Sequence, residues 1–420
     1  MTGGLPGPRP QPIGALPWPA GLLVLPDVPG AAEAASRLVL GQNPERWPAG
    51  LEFFRAALRG DAPLAAGQFT APDPVSAYNR AVLVGGEQAW AQVRAEPGSD
   101  LAVLAATARF SVGLTDQPPE PGQSVAGEVN AVARSARAAA ALERGDAVAA
   151  VDELAAAVTD AAGAGSPVLA ATLAATRADL LRDRIGDPAA AVAAVDAALR
   201  TPGLPAGLTS GHDETGNVAA EVRAELHLTR ALARQQLAAG AAAGMPAVVA
   251  DLTEALKVFR EDSHPELFAT ASQHLGLAYL TMPMSSQGDR LRVGVAVGCL
   301  RAALRVFTPE HHPLAWSSAQ LNLANALQYL PSAHIQANLE EATRIYQELL
   351  SYRDEAGDPV GVARILLNQA NALGHLGAFE DARDRLNRAR TLFGRAGDAE
   401  GIAAADEIQA SIEAALAGRS

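Results

Sequence analysis

An all-α solenoid of stacked helical hairpins is the fold class this sequence predicts, on three observations. Apolar residues make up 49% of the 420 residues but aromatics only 4%, with alanine dominant and alternating strand-type runs nearly absent, a composition suited to close helix-on-helix packing. Leu366 to Arg390, LLNQANALGHLGAFEDARDRLNRAR, reads as one hairpin. Asn368, Ala370, Ala372 and Leu373 lie on a first helix, Gly374 and Gly377 mark the corner, and Ala382, Leu386, Ala389 and Phe393 recur at helical spacing on a second. Its core positions also recur: Ala138, Gly145, Ala150, Leu154 and Ala157 each precede their counterparts Ala370, Gly377, Ala382, Leu386 and Ala389 by 232 residues. A hairpin of this size cannot bury its apolar stripe alone, so stacked neighbours are implied.

In chain order, residues 1–30 are rich in proline and glycine and read as an extended arm, with Trp18 and the run Leu22 to Leu25 as its apolar anchors. A disordered tail is the alternative. Residues 31–117 read as an irregular helical region with degenerate repeats. There PAGLEFFRAALRG places Leu51, Phe54, Ala57 and Leu58 on one face with Gly60 as a stop, VSAYNRAVLVGGEQAWAQV turns at Gly85-Gly86, and DLAVLAATARFSVGL adds a helix up to Leu114. Pro118, Pro119 and Pro121 cannot continue a helix, so 118–124 is the expected linker. Residues 125–398 form a repeat array of about six hairpins. First helices align through TRADLL (Thr176 to Leu181), HLTRAL (His227 to Leu232), HLGLAY (His274 to Tyr279) and NLANAL (Asn322 to Leu327), with spacings of 47, 48 and 46 residues from His227 to His274, Asn322 and Asn368. On second helices, Leu252, Ala255 and Phe259 return as Leu300, Ala303 and Phe307 after 48 residues. Residues 399–420 carry Ile402, Ala405, Ile408, Ile412 and Ala415 on one face, which suits a capping helix; a dimerising helix is the competitor.

At these residues the chain resembles the tetratricopeptide repeat family, in a long-repeat bacterial variant. The NxxNAL…G…A…L…A series from Asn368 to Ala389 and the large-small-large pattern of HLGLAYL carry the likeness over roughly Val125 to Asp398, and weakly over Pro48 to Leu114. His264-Pro265 and His312-Pro313 before first helices make it similar to repeats that accompany caspase-like peptidase domains and signalling ATPases in bacteria. The family's usual period is 34 residues; here TMPMSSQGD (Thr281 to Asp289) and QYLPSAHIQ (Gln328 to Gln336) lengthen the corners, as longer helices or ordered loops. The resemblance implies a right-handed superhelix whose first helices line a concave groove, and protein binding as its business.

Composition narrows the function further. A formal net charge of −13, from 33 basic and 46 acidic residues, repels phosphate backbones and anionic lipid at long range, so neither nucleic acid nor membrane is the expected partner. Cys299 is the only cysteine, which excludes an intrachain disulfide and a multi-cysteine metal site. Placed on a helix beside Val295 and Ala302, it reads as core rather than as a nucleophile. Lys257, in EALKVFR, is the only lysine, so no phosphate-binding G-x-x-x-x-G-K-[ST] loop exists, nor is there a G-x-S-x-G, H-E-x-x-H or acidic calcium loop. No cofactor or metal is expected. The first residues lack the basic start and apolar core of a secretory signal, and GLLVLP is too short to cross a bilayer, so the expected location is the cytoplasm. His264 and His312, 48 residues apart, read as helix starts with proline pre-setting the backbone and Glu266 at the positive N-terminus; metal ligation by His264, His311 and His312 is the weaker alternative.

The asparagines carry the site hypothesis. Asn322 and Asn325, then Asn368 and Asn371, stand three apart on adjacent first helices, hence on one helical face. Asparagine offers donors and an acceptor, which suits a peptide backbone or a terminal carboxylate. Arg364 supplies charge one turn before Asn368, and Gln273, His274, Gln320, Gln328 and His375 extend the same groove. The family's carboxylate-binding groove uses lysines as well as asparagines, and Leu321 and Ser318 stand at the matching places here. The other reading of each pair is that one asparagine caps or bridges neighbouring helices. The expected function is a non-enzymatic scaffold binding a protein or peptide partner, of unknown oligomeric state. The alternatives are an assembly or maturation chaperone for a bacterial complex, and a small-molecule sensor or enzyme with a pocket near Trp47, Phe53, Phe54, Tyr78 and Trp90.

Overall fold

Many helices of this chain begin where an aspartate, serine or histidine is followed by proline or a small residue. A computed structural model describes residues 4–120, 125, 127–204, 218–238, 242–283, 287–331, 334–353 and 357–417. Among them run nineteen α-helices and no strand: α1 (Ala31–Leu38), α2 (Glu52–Leu58), α3 (Ala62–Gly67), α4 (Pro74–Val84), α5 (Glu87–Trp90), α6 (Asp100–Ser111), α7 (Gly127–Glu143), α8 (Ala147–Gly163), α9 (Pro167–Leu180), α10 (Pro188–Leu199), α11 (Val218–Ala238), α12 (Met245–Ala255), α13 (Pro265–Thr281), α14 (Gln287–Leu304), α15 (Pro313–Tyr329), α16 (Ile335–Tyr352), α17 (Pro359–Leu376), α18 (Phe379–Ala396) and α19 (Ala399–Ala417). Asp146, Asp187 and Asp358 cap α8, α10 and α17 by accepting the N–H of Ala149, Ala190 and Gly361 at 3.0, 2.9 and 2.8 Å. Proline occupies the first position of α4, α9, α10, α13, α15 and α17, where its missing N–H costs nothing. Gly377 (φ 80°) ends α17 in the left-handed conformation and turns the chain into α18.

Neighbouring helices pack in sequence order, which makes the fold an α-solenoid of hairpins. The chain divides into two compact units, residues 1–237 and 238–420. Of the expected linker 118–124, residues 121–124 lie outside the described residues, as do parts of the corner inserts (284–286 and 332–333). Sequence periodicity missed α1 and α3, which are short and lie where no repeat track runs.

In the first unit, α7 pairs with α8 and α9 with α10, and the N-terminal arm is laid down as part of the core. Ile13 and Leu23 to Leu25 are fully buried, whereas Trp18, expected as an anchor, is 50% exposed. Irregular backbone is tolerated inside only when its polar groups are satisfied, and side chains do this. Asn79 accepts the N–H of Val24 and donates to its carbonyl, both at 2.9 Å. Tyr78 donates its hydroxyl to the Leu22 carbonyl at 2.9 Å, and buried Gln11 accepts from Leu25 N at 2.8 Å. Arg9 pairs with both Asp100 and Glu128, two carboxylates that are almost wholly buried. Trp47, Phe53, Phe54, Tyr78 and Trp90 fall in two groups: Trp47 lies 6.3 Å from Phe54, which meets Phe53 edge-on at 6.0 Å, and Tyr78 meets Trp90 edge-on at 6.0 Å. The arm and the following helices are packed against them in the same core.

One feature of this unit works against stability. Asp179 on α9 and Glu225 on α11 are half-buried, and partial burial raises both carboxyls above their ordinary range, with Asp179 repelling Glu225 as the second cause for Glu225. Asp179 is compensated in part by Arg182 at 3.1 Å and the Thr229 hydroxyl at 3.1 Å. Glu225 has no hydrogen-bonding partner among the described residues. A carboxyl raised on folding binds its proton more tightly in the folded state, so stability grows as pH falls from neutral towards the ordinary glutamate value near 4.5. Glu225→Gln is therefore expected to raise the thermal midpoint at pH 7 and to flatten its rise on acidification to pH 5, as read by calorimetry.

The second unit contains α12 to α19, with α13/α14, α15/α16 and α17/α18 as hairpins and α19 packed on α17 and α18 through Ala405 and Ile412. The 48-residue repeat is visible in space. The His264 ring lies 5.3 Å from Phe259 at 56°, and the His312 ring 5.4 Å from Phe307 at 52°, each histidine standing immediately before a helix that starts with proline. His312 Nε2 also meets Glu266 at 3.3 Å. Buried positions of α14 recur on α16 after 46 residues: Val293 as Leu339, Ala296 as Ala342, Leu300 as Tyr346 and Ala303 as Leu349. Cys299 is half-buried on α14, and burial raises its thiol, which keeps it protonated and a poor nucleophile.

Candidate partner-binding face

The repeat places Asn322 and Asn325 on α15 at the positions that Asn368 and Asn371 hold on α17, so the two helices present amides in register. The structure joins four of the expected residues into one chain of hydrogen bonds. Asn371 Nδ2 donates to Gln328 Oε1 at 2.9 Å, Gln328 Nε2 donates to Tyr346 Oη at 2.7 Å, and Tyr346 donates to Asn325 Oδ1 at 2.6 Å. Asn368 Nδ2 closes the series on Asn325 Oδ1 at 3.0 Å. The amides thus bridge neighbouring helices, the second of the two readings of the sequence, while Asn325, Gln328, Asn368 and Asn371 all remain half-exposed.

The centre of this chain is a residue that the repeat pattern alone did not single out. Tyr346 replaces the leucine that other second helices carry at this core position (Leu300), and it is fully buried. A buried tyrosine hydroxyl demands partners; here it has one acceptor and one donor, and burial raises its pKa well above the ordinary phenol value. The signal available in the sequence was a polar-tipped residue at a repeat position otherwise held by leucine.

The remaining expected residues divide into two groups. Gln273 is buried on α13 and donates to Ser318 Oγ at 3.2 Å, leaving its buried Oε1 without a partner, and the Gln320 Oε1 on α15 is likewise buried and unpartnered. Arg364 and His375 are exposed, and Asn322 and His274 half-exposed. Asn322 and Arg364 make no side-chain hydrogen bond among the described residues. With Asn325 Oδ1 already accepting twice, its Nδ2 and the carbonyl oxygens of Asn368 and Asn371 are the groups left over, a set of donors and acceptors held in place by the bonds beneath.

Among the described residues no cluster of histidine, cysteine, aspartate and glutamate is arranged to hold a metal ion, and no helix is long and apolar enough to cross a membrane.

No protein-family model matches this sequence, and no curated protein matches it either. Solved structures do. A tetratricopeptide repeat protein from Parabacteroides merdae is 16% identical over 68% of this chain and 93% of its own, with a TM-score of 0.39. The apo form of RapI is 11% identical over 86% and 96%, at 0.44, and a Rap protein complexed with competence and sporulation factor 14% identical over 88% and 97%, at 0.43. The chain is thus similar to helical-repeat proteins, tetratricopeptide repeats among them, in an architecture that its own helix order already displays.

Proposed function

We propose that this chain is a non-enzymatic interaction scaffold whose second unit binds an extended segment of a partner protein along α15 and α17. The observation that carries the reading is the hydrogen-bonded series Asn371–Gln328–Tyr346–Asn325–Asn368. Amides fixed by bonds beneath them have little rotamer freedom left to lose, so their free donor and acceptor groups meet a peptide backbone at a low ordering cost. Arg364, with no acidic partner among the described residues, supplies a charge for an acidic residue or a terminal carboxylate of the partner. His274 on α13, Asn322 on α15 and His375 on α17 extend the face, while Gln273 and Gln320 lie beneath it.

The chain's surface chemistry favours this over catalysis. The half-exposed groups at the centre of this face are neutral amides, which position a ligand but move no proton. A peptide-array selection on the purified full chain tests the reading. Arg364→Ala and Asn322→Ala, which disturb no internal hydrogen bond, are each expected to weaken the selected peptides severalfold with the thermal midpoint unchanged. Affinities that stay the same in both variants contradict it.

A further inference from the structure

A cavity of about 580 Å³ opens in the first unit between the N-terminal arm, α6, α7 and α9, within the usual size range of small-molecule sites. Its apolar side is formed by Trp18, Phe110, Leu169 and Leu173. Trp18 lines this cavity and is 50% exposed, so part of its indole is left uncovered there. Its approach to the helices is set by Gly14, whose φ of +70° and contact with Val132 and Leu169 leave no room for a side chain.

Of the five hydroxyls on the polar lining, Ser135 and Thr115 keep their protons free among the described residues and the other three do not. Thr107 donates its hydroxyl to the Val103 carbonyl at 2.8 Å, Ser111 to Thr107 at 2.9 Å and Thr172 to Val168 at 3.0 Å. With their protons committed to their own helices, these oxygens offer only lone pairs to the cavity. Asp116 and Glu143 also line it, both exposed and without an ion-pair partner among the described residues, and no arginine, lysine or histidine does. A ligand matched to such walls carries hydrogen-bond donors, a positive charge and an apolar or aromatic body. An ammonium has three donors and no acceptor, and it is further favoured beside the faces of tryptophan and phenylalanine.

We propose that this cavity binds a small organic cation of the arylalkyl-ammonium class, its ring against Trp18 and Phe110 and its ammonium towards Glu143 and Asp116. The site is independent of the partner-binding face, and its test does not pass through that face. Tryptamine, tryptophol and indole-3-acetate share one ring system and differ in charge, so they serve as probes for isothermal titration with the full chain. Tryptamine is expected to bind with one-to-one stoichiometry at least ten-fold more tightly than tryptophol, with no saturable binding of indole-3-acetate. Glu143→Gln and Asp116→Asn, both surface changes, should weaken tryptamine severalfold and leave tryptophol unaltered, and Trp18→Ala should weaken both. The absence of saturable tryptamine binding, equal affinity for the three probes, or a tryptamine affinity indifferent to Trp18→Ala and Glu143→Gln would each overturn the proposal.

Discussion

Arg9→Ala is expected to destabilise the first unit by about 3 kcal/mol, the low end of what removing one partner of a buried ion pair costs. The guanidinium spans Asp100 and Glu128, whose side chains are only 9% and 3% exposed, while Arg9 itself is 37% exposed. Without it, two carboxylates stay in the interior facing each other's charge, with the Leu5 N–H at 3.3 Å from Asp100 and the Gln11 N–H at 3.0 Å from Glu128 as their remaining donors. Water reaching the partly exposed site limits the loss. Arg9→Lys should recover part of it, because an ammonium keeps the charge but not the fork that meets both carboxylates. Urea unfolding reads the midpoint, and limited proteolysis reads whether residues 5–25 are released from Asn79 and Tyr78. An unchanged midpoint with an equally protected arm would show that the arm is held by apolar burial alone.

Tyr346→Phe is expected to cost about 2 kcal/mol, since it deletes a buried hydroxyl and strands the Gln328 amide N–H it accepted. Shape is kept, so the loss reports the hydrogen bonds and not packing. Asn325→Ala removes the acceptor at the other side of the same hydroxyl. The double variant should therefore lose less than the sum of the two, with a coupling of about 1 kcal/mol in a double-mutant cycle. Full additivity would mean that Tyr346 and Asn325 act independently. Tyr346→Leu, which restores the residue type of Leu300, should not rescue stability while the two amides remain.

The fold was legible in the sequence because its signals are periodic. Ala138 to Ala157 and Ala370 to Ala389 are buried or turn positions in two separate hairpins, and the prolines at 167, 188, 265, 313 and 359 all sit at the first position of a helix. The N-terminal 120 residues were less readable for a physical reason. Their short helices are fixed by the arm through single polar contacts, such as Asn79 with Val24 across 55 residues, and no repeat announces a contact of that kind. The candidate site was legible as a pair of asparagine pairs but not as a hydrogen-bonded network, because the residue at its centre, Tyr346, lies on a second helix and reads at first as ordinary core. The five aromatics that suggested a pocket lie in or against the core of the first unit. The open cavity is instead walled by Trp18 and Phe110, residues whose exposure only the three-dimensional arrangement reveals.

The most direct test of the scaffold reading is hydrogen–deuterium exchange of the full chain with and without a peptide selected on it. Binding along the amide series predicts slowed exchange concentrated in α15 and α17, lost together with affinity in Arg364→Ala. Protection that falls elsewhere in the chain, or that persists in that variant, would contradict it.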